Sequence, residues 1–558
     1  MRSRAEIGYA GVAGGLSAVL AFLALRLWRI DLGVPLEYYG DVNLQHFLVR
    51  DVLDHLWYFE NSSVGAPHGL ELYDYPVLNG DSLNVVLLKV FGLFGAESAT
   101  AMNLLYVASF PFVGVSAYLA LRALGAAPWP AVVCATLYAL LPYHFIRGEG
   151  HLFLSTYYAV PAGAYVCTAT LSGDRVRLWV LIGCAVFVGV ASGSFYYAAF
   201  TLVLVGFAAV LRYVATGERG AVVAGAAVAG VILAVALVQV APTLIYRAAN
   251  GANPEVAKRF TFESEVYSLR LTQLVLPIDG HRIGPLARLK ARYTEHFPPI
   301  DANAAALGVV GTVGLAWLFA VVVAAAVGRR APPRHASLGV LAVVAFVIAT
   351  TGGLGSLVGA VFPQIRAWNR LSVFIAFFAL AAVALALTAL RKRVRPVVFA
   401  GALVGVLAVG VFDQTSARFV PPYDVVQAEW DLDAAYFSSL ESRLPTGASV
   451  VQLPYEPFPE PPAGRQAIYE PAKAYLHTDE LRWSWGAMRG RPTDWAAANA
   501  TRPPAELIQA ARDAGFTALL VDRLGYGDNG ASIERDLRGV LGGDPERSPN
   551  GRFLVWRL

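Results

Sequence analysis

Eleven windows of about twenty apolar residues recur along the chain, near 7–25, 99–121, 127–145, 152–171, 177–193, 196–213, 221–245, 305–327, 336–352, 371–390 and 397–412. Roughly twenty is the number a helix needs to cross a hydrocarbon core of about 30 Å. Lipid offers the backbone no hydrogen bonds, so each such segment is confined to a helix that satisfies itself. The remainder of the chain must therefore be arranged around a membrane bundle. Composition agrees: of 558 residues 56% are hydrophobic and only 15% charged, with mean hydropathy +0.52. An odd number of spans puts the two ends on opposite faces.

Orientation follows from the basic residues near the span ends, because Lys and Arg stay on the cytoplasmic side. Arg2 and Arg4, Arg122, Arg175 and Arg177, Arg212 and Arg219, Arg329, Arg330 and Arg334, and the run Arg391, Lys392, Arg393 and Arg395 share one parity. That side is inside. The short loops of the other parity offer only Arg147, Arg366 and Arg370, while eight histidines, among them His46, His68, His144, His151 and His281, fall on that outer side. The apolar piece Asn84–Gly95 would invert this scheme if it crossed, but it is short and interrupted by Lys89, so it is expected to lie in the interface. The N-terminal run lacks a small-x-small cleavage pattern before Arg26 and reads as an uncleaved first span. Arginine greatly outnumbers lysine, a bias of GC-rich bacterial genomes, and the expected location is the bacterial inner membrane with a cytoplasmic N-terminus. Cys134, Cys167 and Cys184 all fall within spans and build neither a disulfide framework nor a zinc site. Net charge is +4, and its basic share is accounted for by topology, so nucleic acid is not an expected partner.

The sequence divides into a membrane part, 1–412, and an extracytoplasmic α/β part, 413–558, where apolar runs stop and prolines cluster. Two outer loops are long, about 26–98 and 246–304. The first begins Leu36-Glu37-Tyr38-Tyr39-Gly40-Asp41 and enters an amphipathic pattern through Phe59 that suits an interfacial helix; the second also has a partly amphipathic stretch. In the C-terminal part Ser449–Leu453, Thr517–Asp522 and Arg552–Arg557 read as strands, and Ala505–Ala514 as a helix.

Several outer residues suit chemistry at a membrane surface. Asp41 opens the interfacial helix; it either caps the helix beginning at Val42 or serves as a base for an attacking hydroxyl. The loop Pro142–His151 is dense: Arg147 suits a phosphate, His144 a substrate contact, and Glu149 with His151 a divalent ion such as Mg or Mn. An Arg147–Glu149 surface pair accounts for the same charges. Arg366 and Arg370 flank Trp368-Asn369 and fit either a lipid-linked phosphate or an interfacial belt. Tyr39, Asp74, Asp81, Asp279 and His281 are further substrate candidates, and so are Trp483 and Trp485, which sit beside Arg489 and Arg491. No Walker motif, dinucleotide fingerprint, serine elbow or HExxH occurs.

An inside N-terminus, one span, a long outer loop with an acid soon after it, interfacial helices, further spans and an outer C-terminal α/β part together resemble the GT-C superfamily. Its members are polyprenyl-phosphate-sugar-dependent glycosyltransferases such as protein mannosyltransferases, aminoarabinose transferases and the oligosaccharyltransferase catalytic subunit. The resemblance implies an inverting transfer of one sugar to a cell-envelope glycan, lipid or protein. It places the base or acceptor-binding acid on Asp41 and the lipid phosphate on Arg147, Arg366 or Arg370. The acidic D/E-x-D motif of the oligosaccharyltransferase branch corresponds to Glu149-Gly150-His151, where His replaces the second acid and leaves metal dependence open. Val42 stands where the mannosyltransferase branch has the Glu of an Asp-Glu pair, and Trp483-Ser484-Trp485-Gly486 lacks the Asp of the Trp-Trp-Asp-Tyr-Gly signature. Two other classes fit the topology: a transporter or flippase for lipid-linked saccharides, which calls for charges deep within spans, and a non-catalytic envelope-assembly scaffold.

Overall fold

The computed structural model describes residues 2–297 and 302–558. Every apolar window holds a helix. Among the described residues eight helices are long and apolar enough to cross a membrane: Arg4–Leu25, Ser98–Ala123, Pro128–Arg147, Tyr196–Thr216, Arg219–Asn250, Gly308–Ala326, Trp368–Leu390 and Pro396–Gln414. The windows near 152–171, 177–193 and 336–352 hold the shorter helices Val160–Ser172, Leu178–Val190 and Pro333–Ala349. We label α1 (Arg2–Leu25), α2 (Asp41–Asp54), α3 (Ser82–Leu93) and α4 (Ser98–Ala123) in the first quarter of the chain. Helix α3 covers the ambiguous piece; its 12 residues span about 18 Å at 1.5 Å per residue, well short of the bilayer core. Lys89 turns back from it to the carbonyl of His55 at the end of α2. The interfacial expectation for Asn84–Gly95 and its length agree.

The third long apolar helix is interrupted. Its first part, α5 (Pro128–Ala139), ends at Leu140, and Pro142 starts the short α6 (Pro142–Arg147), because a proline disfavours helical backbone in the residue before it and has no N–H to continue the ladder. This break turns residues 142–151 across the outer end of the bundle.

Near the C-terminus five strands form a mixed sheet in the order β4-β3-β5-β7-β6, after a two-residue hairpin of β1 (Glu60–Asn61) and β2 (Leu70–Glu71) in the first outer loop. Here β3 is Ser449–Leu453, β4 Arg482–Trp483, β5 Phe516–Asp522, β6 Glu546–Arg547 and β7 Phe553–Arg557. β3 runs parallel to β4 and β5, while β7 is antiparallel to β5 and β6. Side chains alternate between two cores as the pleat requires. Val451, Leu519, Val521 and Leu554 pack with Ile508, Ala511 and Leu537 of the helices Pro504–Asp513 and Ala531–Leu541. Val450, Ala518, Leu520 and Val555 instead join the core that contains Phe47, Leu48 and Val52 of α2 and Phe437 and Leu440 of the helix Tyr423–Arg443.

The sheet is thus fastened to the first outer loop. Ala66 N–H donates to the carbonyl of Trp483 at 2.9 Å, Gly65 N–H to that of Trp485 at 2.7 Å, and Trp483 N–H to that of Ser63 at 2.9 Å, so residues 63–66 extend the β4 edge. Gly65 makes this possible: its φ is +71° and a Cβ there would lie 2.8 Å from the Gly69 carbonyl oxygen. Arg50 of α2 adds hydrogen bonds to the carbonyls of Tyr475 and Thr478 and an ion pair at 2.7 Å with Asp479.

Candidate active site

Between one end of the membrane helices and the C-terminal region lies a cavity of about 860 Å³. Asp41, Asp74, His151, Arg366 and Arg370, all singled out from the sequence, line it together. Asp41 is the first residue of α2, and Gly40, at φ 58°, occupies the N-cap position before it. The N-cap position falls to Gly40, and Asp41, one residue inside the helix, lines the cavity. Burial raises its pKa, with the positive charge of Arg147 working in the opposite direction. A raised pKa makes it a stronger base once ionised.

The loop after α6 closes on this carboxylate. A Cβ on Gly150 would sit 3.6 Å from Val42 and 3.9 Å from Asp41, so the loop backbone lies against the start of α2. His151 is held neutral, its pKa lowered well below the usual imidazole range by burial and then by Arg147 and Arg370. Arg147 is buried with its guanidinium 5.5 Å from the centre of the Tyr143 ring. Glu149 faces the other way: it is buried, accepts the Leu36 N–H at 2.8 Å, and burial pushes its pKa up to about 8. Hard divalent ions take six to eight oxygens or an octahedral set, whereas among the described residues no three His, Cys, Asp or Glu are grouped to hold a metal ion. Of the two residues expected to hold Mg or Mn, Glu149 accepts from Leu36 and His151 lines the cavity.

The cavity is rich in cations. Arg366 is paired with Glu263 and lies 5.0 Å from the Tyr267 ring centre; Arg370 sits 4.0 Å over Tyr196, and its Nε has no hydrogen-bond partner among the described residues. Arg247, Lys258, Arg259 and Arg489 complete the set. Arg259 pairs with Glu460, and Lys258 with Glu255 at 3.0 Å. Tyr75 and Tyr469 line the cavity beside these charges, and both phenols are raised in pKa chiefly by burial. Arg489 was noted in the sequence beside Trp483 and Trp485, but none of Arg247, Lys258, Arg259, Glu460 or Tyr469 was; the adjacent Lys258-Arg259 in a long loop was the available signal.

Backbone strain also meets the cavity. Ser194 and Phe195, both lining it, have φ of 54° and 68°, values that cost energy in non-glycine residues. Asp81 holds this turn by accepting the N–H groups of Gly193 at 3.0 Å and Ser194 at 2.6 Å. It is fully buried, and its pKa rises to about 7 because desolvation outweighs these bonds. Asp81 positions the wall without lining it.

Other sequence candidates are placed elsewhere. Asp74, although at the cavity edge, is 1% exposed and spends its oxygens on Arg491 and Asn253. His144 is buried against Phe110 and bonded to Ser109. His281 pairs with Asp413, and Asp279 belongs to the turn before it. Tyr39 is 60% exposed outside the cavity. Trp483 and Trp485 are core residues: Trp483 is fully buried, and Trp485 packs edge-on against Phe47 and Phe458. Large flat side chains beside arginines marked a packing surface between the sheet and α2.

No protein-family model matches the chain, and no curated protein does. Among solved structures it is similar to the arabinofuranosyltransferase AftD from Mycobacteria, with a TM-score of 0.53 and 16% identity over 98% of this chain, which spans 40% of that longer one. It is also similar to ArnT from Cupriavidus metallidurans in the apo state, with a TM-score of 0.50 and 12% identity over 97% of each chain. ArnT bound to undecaprenyl phosphate aligns with a TM-score of 0.49 at 13% identity. The chain shares the fold of these two proteins, a GT-C-like arrangement of membrane helices with a small C-terminal sheet.

Proposed function

We propose that this protein transfers a sugar from a polyprenyl-phosphate donor to a cell-envelope glycan, lipid or protein, on the extracytoplasmic face of a bacterial inner membrane with the N-terminus inside. The observation that carries the reading is Asp41, a carboxylate of raised pKa in a cation-lined cavity at the ends of the membrane helices. The GT-C fold supports it at the level of architecture.

In this reading the acceptor hydroxyl gives its proton to Asp41 as its oxygen forms a bond to the anomeric carbon. The bond from that carbon to the phosphate oxygen breaks on the opposite face, inverting the configuration, and polyprenyl phosphate leaves with the bonding electrons. Arg370, in the cavity lining, stabilises the charge that builds on the departing phosphate, a guanidinium matching two phosphate oxygens at once, and Arg147, buried behind the lining, adds the field of its charge. His151, neutral beside both arginines, remains able to accept or donate one hydrogen bond to the sugar. A lipid-linked donor reaches such a site sideways from the bilayer and requires no nucleotide-binding fold.

The test is Asp41→Asn, assayed in membranes supplied with polyprenyl-phosphate sugars, with binding of undecaprenyl phosphate alone measured in parallel. The expected result is a loss of transfer of about 10²–10⁴-fold with lipid-phosphate binding retained. Full transfer by the variant refutes the mechanism.

A further inference from the structure

The second long outer loop contains a feature that sugar transfer does not use. Its helix Gly284–His296 carries the exposed Arg288 and Arg292 against a single acid, Glu295, while Lys290 is buried. Ile283, Leu289 and Phe297 on or beside it are exposed, at 44%, 50% and 53%. A soluble surface rarely keeps three such side chains open on one short helix.

Its height is set by what it touches. Arg282, just before the helix, donates to Thr415 Oγ1 at 3.0 Å and lies 5.3 Å from the Phe412 ring centre; both belong to the outer end of the last long apolar helix. His281 pairs with Asp413 in the same place. Tyr293 bonds Thr272 at 2.6 Å in the short helix Leu271–Val275, whose Leu274 carbonyl accepts the N–H of Leu307 at the start of the helix Gly308–Ala326. The segment therefore rests on the ends of two membrane helices, which themselves expose Val309, Val313, Val409 and Phe412.

We propose that residues 282–297 form an interfacial anchor that binds the anionic headgroups of phospholipids in the leaflet beside the cavity. The apolar side chains enter the acyl boundary, and Arg288 and Arg292, both exposed, reach the phosphates with their stems along the apolar surface. Anionic lipid is the partner because the helix offers an excess of cations at headgroup level, where zwitterionic lipid has no net charge to meet them.

Hydrogen exchange of the full-length protein in nanodiscs tests this. Amides of 284–297 should exchange about tenfold more slowly in phosphatidylcholine discs with three-tenths phosphatidylglycerol than in pure phosphatidylcholine, and about 0.5 M salt should shrink the difference. Arg288→Gln/Arg292→Gln should lose the difference, and Arg288→Lys/Arg292→Lys should keep it. Equal protection of the wild type in both discs overturns the proposal, as does an undiminished difference in the glutamine variant. Equal slowing by soluble glycerol phosphate in phosphatidylcholine discs also overturns it, since the site would then read free phosphate and not a membrane.

Discussion

Asp74→Ala should open the contact between the C-terminal region and the second outer loop. The Asp74 side chain is 1% exposed and accepts Arg491 Nε at 2.6 Å, a second Arg491 nitrogen at 2.9 Å and Asn253 Nδ2 at 3.2 Å. Arg491 also donates to the carbonyls of Asn250 at 2.7 Å and Gly251 at 2.9 Å. One carboxylate thus joins the first outer loop, the second outer loop and the segment after β4. Removing one member of a buried pair costs about 3–5 kcal/mol because the other charge is left behind. Arg491 keeps its two carbonyls, so the lower end applies, about 3 kcal/mol, or about a hundredfold in the local opening equilibrium. Hydrogen exchange reads that equilibrium directly at the amides of Glu255, bonded to Asn253, and Arg491, bonded to Met488. Asp74→Leu/Arg491→Met, which removes both charges, should recover most of the loss. An increase in exchange below about threefold for Asp74→Ala would refute the clasp, because threefold is only about 0.7 kcal/mol, far below the cost of breaking a buried pair.

Transfer should also depend on pH in a direction set by Asp41. The base must be ionised, and burial raises its pKa, so the acid limb of kcat/KM should lie above the ordinary carboxylate range; Arg147→Gln removes the opposing charge and should shift that limb to higher pH. Glu149 gives a stability signature instead. Its pKa rises from 4.5 to about 8 on folding, so the unfolded chain ionises first and stability is full below pH 4.5 and falls as pH rises towards about 8. Glu149→Gln should flatten that dependence in thermal unfolding of the detergent-solubilised protein. Arg370→Gln should weaken undecaprenyl phosphate binding and lower transfer by about 10²-fold, the range for one lost donor at a developing oxyanion, in a direct binding assay run beside transfer.

The membrane bundle was legible because a spanning helix is a local object: twenty apolar residues define it without reference to any distant contact. The same logic carried over to Asp41, His151, Arg366 and Arg370. Each follows or precedes a span on the same parity, so topology alone brings them to one face, and the cavity lining joins all four. It failed for Arg247, Lys258 and Arg259. Their approach depends on how long loops dock, and a loop's docking partner can be 417 residues away, as Arg491 is from Asp74. Trp483 and Trp485 misled for a related reason: composition shows that a surface is large and flat, and only the partner surface decides whether sugar or protein covers it.

That long-range docking also bears on which charges remain for chemistry. Most cations at the cavity are already committed: Arg259 to Glu460, Lys258 to Glu255, Arg366 to Glu263, and Arg247 to the neighbourhood of Asp74 at 3.8 Å. Such pairs fix walls, since a side chain held by a partner and by packing gives up little further entropy on binding. Arg370 is held differently, by the face of Tyr196, which restrains the guanidinium plane while leaving its edge donors for an incoming anion. Arg370→Lys consequently separates charge from shape. Lysine keeps the charge and loses the stacked fork, so if the fork is what orients the lipid phosphate, undecaprenyl phosphate binding should fall nearly as far as in Arg370→Gln. Wild-type binding by the lysine variant would mean that charge alone suffices and that Tyr196 is only a neighbour.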